Sequence, residues 1–115
     1  MPEQGDILLV PIPFTDLSSQ KRRPVIVISN NAYNQRTTDL VVVAMTSNPV
    51  EVDYSFTISS SDLNKGTLNN PGKVRADKIF TISKSIVVKT FGRVKEEVLE
   101  SVRQEIQALT AKKPE

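Results

Sequence analysis

The sequence predicts a mainly β, or α+β, fold: a small, strongly curved β-barrel with a C-terminal α-helix. Three observations carry this. Short runs rich in valine and isoleucine recur between turn residues from Asp6 onward. The apolar spacing changes from two residues to three and four after Gly92. A length of 115 residues gives room for one core rather than two, so residues 1–115 are read as a single domain. With 38% hydrophobic and 24% charged residues the chain lies well away from the disordered class.

Asp6 to Val10 is an apolar run bounded by Gly5, Pro11 and Pro13, which reads as a first, buried strand. Thr15, Asp16, Ser18 and Ser19 make the stretch from Phe14 to Arg22 an exposed loop. Val25 to Ile28, between Pro24 and the polar group Ser29, Asn30 and Asn31, is a second strand, and Pro24 must sit at its first residue or on an edge. Leu40 to Ala44 is a third, delivering Thr46 to its C-terminal end. Val52, Tyr54, Phe56 and Ile58 alternate with Asp53, Ser55 and Thr57, the period of a strand with one face on the core. Ser59 to Lys73 reads as a long polar connection, after which Val74 to Ala76, Ile79 to Ile82 and Ile86 to Val88 return as short strands. Val94, Val98, Leu99, Val102, Ile106 and Leu109 then mark one amphipathic helix with no Ser, Thr, Asp or Asn at its N-cap. Glu96 and Glu97 lie near its positive start, and Lys112 and Lys113 near its end.

Composition narrows the chemistry. The chain has no cysteine and no histidine, which removes disulfides, thiolate nucleophiles, imidazole bases and the commonest metal ligands. Any reaction must run on Arg, Lys, Asp, Glu, Ser, Thr or Tyr. No metal and no cofactor are expected. No stretch approaches the roughly 20 apolar residues that span a bilayer, and Met1 to Ile12 lacks a basic stretch followed by an apolar run. The expectation is a soluble cytoplasmic protein without membrane contact. Net charge is +2, with Lys21, Arg22 and Arg23 in one cluster and Lys73, Arg75 and Lys78 in another. If the two clusters meet in space they make one positive face, suited to a polyanion.

Four blocks occur in order: Gly5, Asp6 and Ile7; Arg23 and Pro24 opening a β-branched run that ends at Ser29; Ala44, Met45, Thr46 and Ser47; and Ala76, Asp77, Lys78 and Ile79. This ordered set resembles the MazF/PemK (Kid-like) toxin family over nearly the whole chain. The resemblance implies an SH3-like barrel and a homodimer with an RNA site near the dimer groove. It also implies sequence-selective, metal-independent cleavage of single-stranded mRNA by an endoribonuclease toxin, neutralised by a cognate antitoxin. Operator DNA, bound in complex with the antitoxin, is a further expected partner. One departure stands out: many members carry Ser-Glu-Gln and a glycine before the Arg-Pro, whereas this chain has Ser18, Ser19, Gln20, Lys21 and Arg22. The acidic position is taken by Ser19.

RNA carries its own nucleophile, a 2′-OH beside each phosphate, so a protein need only assist proton transfer and stabilise charge on the phosphorane oxygens. An arginine suits that task, because its guanidinium matches phosphate oxygens and stays charged. By resemblance Arg23 is the catalytic arginine and Thr46 the catalytic threonine; the bland readings are a surface arginine at a strand start and a turn residue closing strand three. Lys21, Arg22, Lys73 and Arg75 are read as phosphate contacts or as a solvated charged face. Ser19 and Gln20 belong to the same RNA-binding loop. Asp77 either orients Arg23, meets a base edge, or is a salt-bridged strand residue. Phe14 and Tyr33 flank the loop and could stack on bases, with Phe14 alternatively anchoring the loop on the core. A rival reading keeps the barrel without catalysis, as a nucleic-acid binder or a gyrase-directed toxin, and the altered loop at Ser19 is the feature that favours it. A proline-binding SH3-like domain is disfavoured by the presence of two Tyr and no Trp.

Overall fold

Seven antiparallel strands make up one curled half-barrel sheet in the computed structural model, which describes residues 1–11 and 22–114. In chain order the elements are β1 (Asp6–Val10), β2 (Arg23–Val27), α1 (Asn31–Arg36), β3 (Asp39–Thr46), β4 (Ser55–Ile58), β5 (Leu63–Lys65), β6 (Gly72–Ser83), β7 (Lys89–Val94) and α2 (Glu96–Thr110). They are ordered β4-β6-β3-β2-β1-β7-β5 across the sheet. The expected β-rich class with a terminal helix is what the chain adopts.

The continuous valine and isoleucine runs form the centre of the sheet because both of its faces are covered. Ile7, Ile26, Val43 and Met45 point to one face, where Val98, Leu99 and Val102 of α2 close over them. Leu8, Val10, Val25, Val27 and Val42 point to the other, against Phe80, Ile86 and Val87. A strand buried on both sides has no polar alternation to display, which is why β1, β2 and β3 read as unbroken apolar runs. No helix of the described residues is long and apolar enough to cross a membrane.

Several boundaries differ from expectation. The polar group after β2 starts a helix: Asn30 Oδ1 accepts from the Tyr33 N–H at 2.8 Å, capping α1. Asn34 of α1 is fully buried; its Nδ2 donates to the Ser29 carbonyl at 2.9 Å, and the Val41 N–H donates to Ser29 Oγ at 3.0 Å. The alternating stretch from Val52 becomes a strand only at Ser55, because Tyr54 takes φ 60° and breaks the extended backbone. The long polar connection contains a 3₁₀ turn over Ser60–Asp62 and the short strand β5. The two strands expected at 74–76 and 79–82 are one strand, β6, with a bulge: Val43 pairs with Ile79 but Ala44 with Arg75, leaving Ala76, Asp77 and Lys78 outside the β3 ladder. The expected strand at 86–88 gives way to a 3₁₀ turn over Lys84–Ile86, and β7 takes in Val94, so the helix begins at Glu96. Lys95, at the N-cap of α2, makes no side-chain cap bond.

A second bulge lies in the β1–β7 ladder. Ile7 pairs with Gly92 and Leu8 with Thr90, so Phe91 stands outside the pairing. Beside it, Gly66 has φ +83°, and a Cβ there would lie 2.5 Å from the Phe91 carbonyl oxygen. Gly66→Ala therefore combines a left-handed backbone with a main-chain clash and should destabilise the fold by about 1–3 kcal/mol. Urea titration of parent and variant checks this.

Candidate active site

Register places the two residues singled out for catalysis at one end of the sheet. Val25 pairs with Ala44, Ile26 with Val43 and Val27 with Val42. Continued two residues toward the strand ends, this register brings Arg23 level with Thr46. Arg23 in turn pairs with Val10, Thr46 with Lys73, and Lys73 with Thr57. One transverse row therefore runs Val10, Arg23, Thr46, Lys73, Thr57 over five strands. Side chains paired across antiparallel strands share a face. The face here is the one opposite α2, since Val10, Val25 and Val42 belong to its cluster.

Beyond β3 the chain turns through a ladder of short bonds. The Asn48 N–H donates to Thr46 Oγ1 at 3.1 Å and the Val50 N–H donates to Asn48 Oδ1 at 3.0 Å. A hydroxyl that already accepts one bond keeps its own O–H to give away. Thr46 thus retains its hydroxyl as a donor at the strand end.

One row along, Arg75 pairs with Ala44 on β3 and Ser55 on β4. Its Nε and Nη2 donate to the two oxygens of Asp77, both at 2.8 Å, a two-pronged pair between residues two apart on one face of β6. The hydrogen bond from Arg75, then its charge, holds the Asp77 carboxyl below its ordinary range against opposing desolvation, and the same bond raises Arg75.

A groove opens at this end. A pocket of about 190 Å³ is lined by Pro24, Thr46, Ser47, Asn70, Phe91 and neighbours. A second, of about 130 Å³, shares Ser47, Pro71 and Gly72 with it and continues to Lys73. Thr46 lies on the rim between the groove and the Arg23 row. Phe91, freed from the ladder by its bulge, supplies an aromatic wall.

The expected residues are distributed unevenly about this place. Arg23, Thr46, Lys73, Arg75 and Asp77 share one face. Arg22 precedes β2 and is exposed. Phe14, Ser19, Gln20 and Lys21 lie outside the described residues. Lys73, expected at a phosphate, turns its ammonium inward onto the carbonyls of Val50 at 2.7 Å and Pro49 at 3.3 Å. Asp77 engages Arg75. Tyr33, expected beside the loop, lies past the far end of β2, in a pocket with Gln4, Ile28 and Ser29. Sequence reasoning missed Ser47, Asn70 and Phe91; the run Asn69, Asn70, Pro71, Gly72 signalled a loop near a strand start, but nothing in the sequence pointed Phe91 at it. Among the described residues no group of three His, Cys, Asp or Glu is arranged to hold a metal ion.

Comparison with known proteins gives a consistent likeness. The family described as PemK-like, MazF-like toxin of type II toxin-antitoxin system matches residues 3–110. An endoribonuclease in complex with its cognate antitoxin, from a mycobacterial species, is 25% identical with TM-score 0.76, covering 99% of this chain and 100% of that one. An endoribonuclease from a mycobacterial species is 25% identical with TM-score 0.74, over 98% and 95% of the two chains. MazF from Deinococcus radiodurans, 24% identical over 94% of each chain with TM-score 0.75, shares the fold. A search of curated proteins gives no match.

The Arg75–Asp77 pair has a pH signature. Because folding lowers the Asp77 carboxyl, its contribution to stability is complete above the ordinary carboxylate value near pH 4 and is lost as pH falls through the lowered value. Asp77→Asn should cost about 0.5–1 kcal/mol at pH 7, and the gap from the parent should close on acidification, as measured by denaturation at several pH values.

Proposed function

Because the chain belongs to the PemK-like, MazF-like toxins of type II toxin-antitoxin systems, we propose that it is an endoribonuclease toxin. In this reading it cleaves single-stranded mRNA at preferred sequences, needs no metal ion, and is silenced by a cognate antitoxin. The observation that supports the reading is the β2–β3 register which, continued two residues beyond Val25 and Ala44, brings Arg23 level with Thr46, and Thr46 also lines a groove.

In that reading the scissile phosphate sits between the Arg23 guanidinium and the Thr46 hydroxyl. The ribose 2′-oxygen attacks phosphorus while the bond to the 5′-oxygen breaks, leaving a 2′,3′-cyclic phosphate and a 5′-hydroxyl. The proton lost by the 2′-OH is matched by the one the leaving oxygen gains. Arg23 stabilises the charge that grows on the non-bridging oxygens, and Thr46 adds one aimed donor. Arg75, held in orientation by Asp77, and exposed Arg22 offer positive charge for neighbouring phosphates, giving affinity that weakens with salt. Phe91 and Asn70 provide a stacking wall and an edge-reading amide for one unpaired base, a source of sequence choice.

We read residues 1–115 as one toxin domain that acts as a cytoplasmic homodimer. The likeness to an endoribonuclease bound to its antitoxin supports an antitoxin partner here. Operator DNA is met only through that complex.

Arg23→Ala should reduce cleavage of a single-stranded RNA by more than about 10³-fold with circular dichroism and melting unchanged, and Thr46→Val should reduce kcat by about 10²–10³-fold. A variant at Arg23 that cuts as fast as the parent would remove the assignment, and cleavage abolished by a chelator would remove metal independence. Phe91→Ala should alter which sequences are cut, weakening one base contact by about 1–3 kcal/mol, as read by mapping new RNA 5′ ends.

A further inference from the structure

Lys73 carries a charge that the fold hides. Only 4% of the residue is exposed, and its Nζ donates to the carbonyls of Val50 at 2.7 Å and Pro49 at 3.3 Å. The Glu51 carboxylate lies 3.7 Å away but is 92% exposed, so water screens most of that attraction. A buried ammonium without partners is strongly unfavourable, so the lysine and the loop carbonyls fix each other.

That loop is the one whose backbone touches Thr46. Lys73 Nζ holds the Val50 carbonyl; the Val50 N–H is held by Asn48 Oδ1 at 3.0 Å; the Asn48 N–H is held by Thr46 Oγ1 at 3.1 Å. Lys73 also pairs with Thr46 across the β3–β6 ladder, so it grips both the strand that presents the hydroxyl and the loop that orients it. We propose that Lys73 is a positioning residue, which sets the direction of the Thr46 hydroxyl through the 47–51 loop and does not itself contact RNA. The proposal rests on the reading of Thr46 as a donor to the scissile phosphate.

Two rival roles make different demands. A phosphate contact needs its ammonium in solvent, and removing it weakens binding and lowers the salt dependence while sparing the chemical step. A merely structural lysine lowers the melting temperature while the folded fraction reacts at the parental rate. A positioning lysine leaves binding alone and slows the chemistry, because misplacing a reacting group by about 1 Å costs on the order of 10²-fold in rate.

The test uses Lys73→Met, which keeps the apolar stem, and Asn48→Ala, which breaks the chain at its middle link and serves if the first variant fails to fold. Amide exchange at Asn48 should quicken about tenfold or more in Lys73→Met. Single-turnover cleavage of a single-stranded RNA oligonucleotide should fall about 10²-fold in either variant, with no further loss when the two are combined. Binding of a 2′-O-methyl oligonucleotide should keep its affinity and salt slope. Glu51→Gln should react like the parent. Unchanged exchange at Asn48 overturns the proposal, as does a parental cleavage rate in the folded variants, or a salt slope lowered by about 0.7 with chemistry intact. If the parent cuts no RNA, or Thr46→Val cuts at the parental rate, the endoribonuclease reading of Thr46 fails instead, and exchange at Asn48 still decides whether Lys73 holds the loop.

Discussion

The pairing of β2 with β3 is the constraint on which the rest of the molecule depends. Both strands are covered on both faces, so their register is set by two apolar clusters at once. Side chains alternate with a period of two, and a slip of one residue would exchange the clusters and carry Arg23 to the face beneath α2. The same packing that makes the core therefore fixes which side of the sheet the guanidinium and the threonine hydroxyl occupy. The placement of these two side chains at the strand ends is inherited from hydrophobic order at the strand centres.

Where the site needs something a regular ladder does not supply, the sheet is interrupted. The bulge at Ala76, Asp77 and Lys78 shifts the phase of β6. Val74 and Ala76 face the core under α2, whereas Phe80 and Ile82, also even-numbered, face the opposite cluster. Arg75 and Asp77, two residues apart, share the face opposite α2 and meet there as a two-pronged pair. The bulge at Phe91 releases an aromatic ring into the groove. Both interruptions cost ladder bonds, and the second leaves Phe91 outside the pairing and in the groove lining.

How much of this was legible follows from what each feature depends on. β1, β2, β3 and α2 were readable because local composition and period decide them. β7 was not: Lys-Thr-Phe-Gly-Arg-Val has neither an apolar run nor clean alternation, and it is a strand because β1 and β5 flank it. α1 was missed because its buried contact is an asparagine, a residue that local patterning assigns to a turn. The order of the motif blocks suggested that Arg23 and Thr46 belong together, yet only pairing could set them level. The direction of the Lys73 ammonium was invisible, since it depends on carbonyls from a loop more than twenty residues away in sequence. Tyr33 was misplaced because closeness in sequence to the basic cluster stood in for closeness in space.

Gly5 joins the first strand to the last part of the sheet: its N–H donates to the Val27 carbonyl at 2.8 Å and its carbonyl accepts from Val94 at 2.9 Å. Asp6 reinforces the closure by accepting from Arg93 Nε at 2.8 Å. β1 therefore keeps one bare edge until the chain has been synthesised through residue 94, and α2, which closes the core, follows later still. A nascent polypeptide on the ribosome has an unfinished sheet until residue 94 has emerged. Completion of the groove accordingly waits on β7, whose Phe91 lines it, so a nascent fragment that stops short of residue 91 lacks that wall.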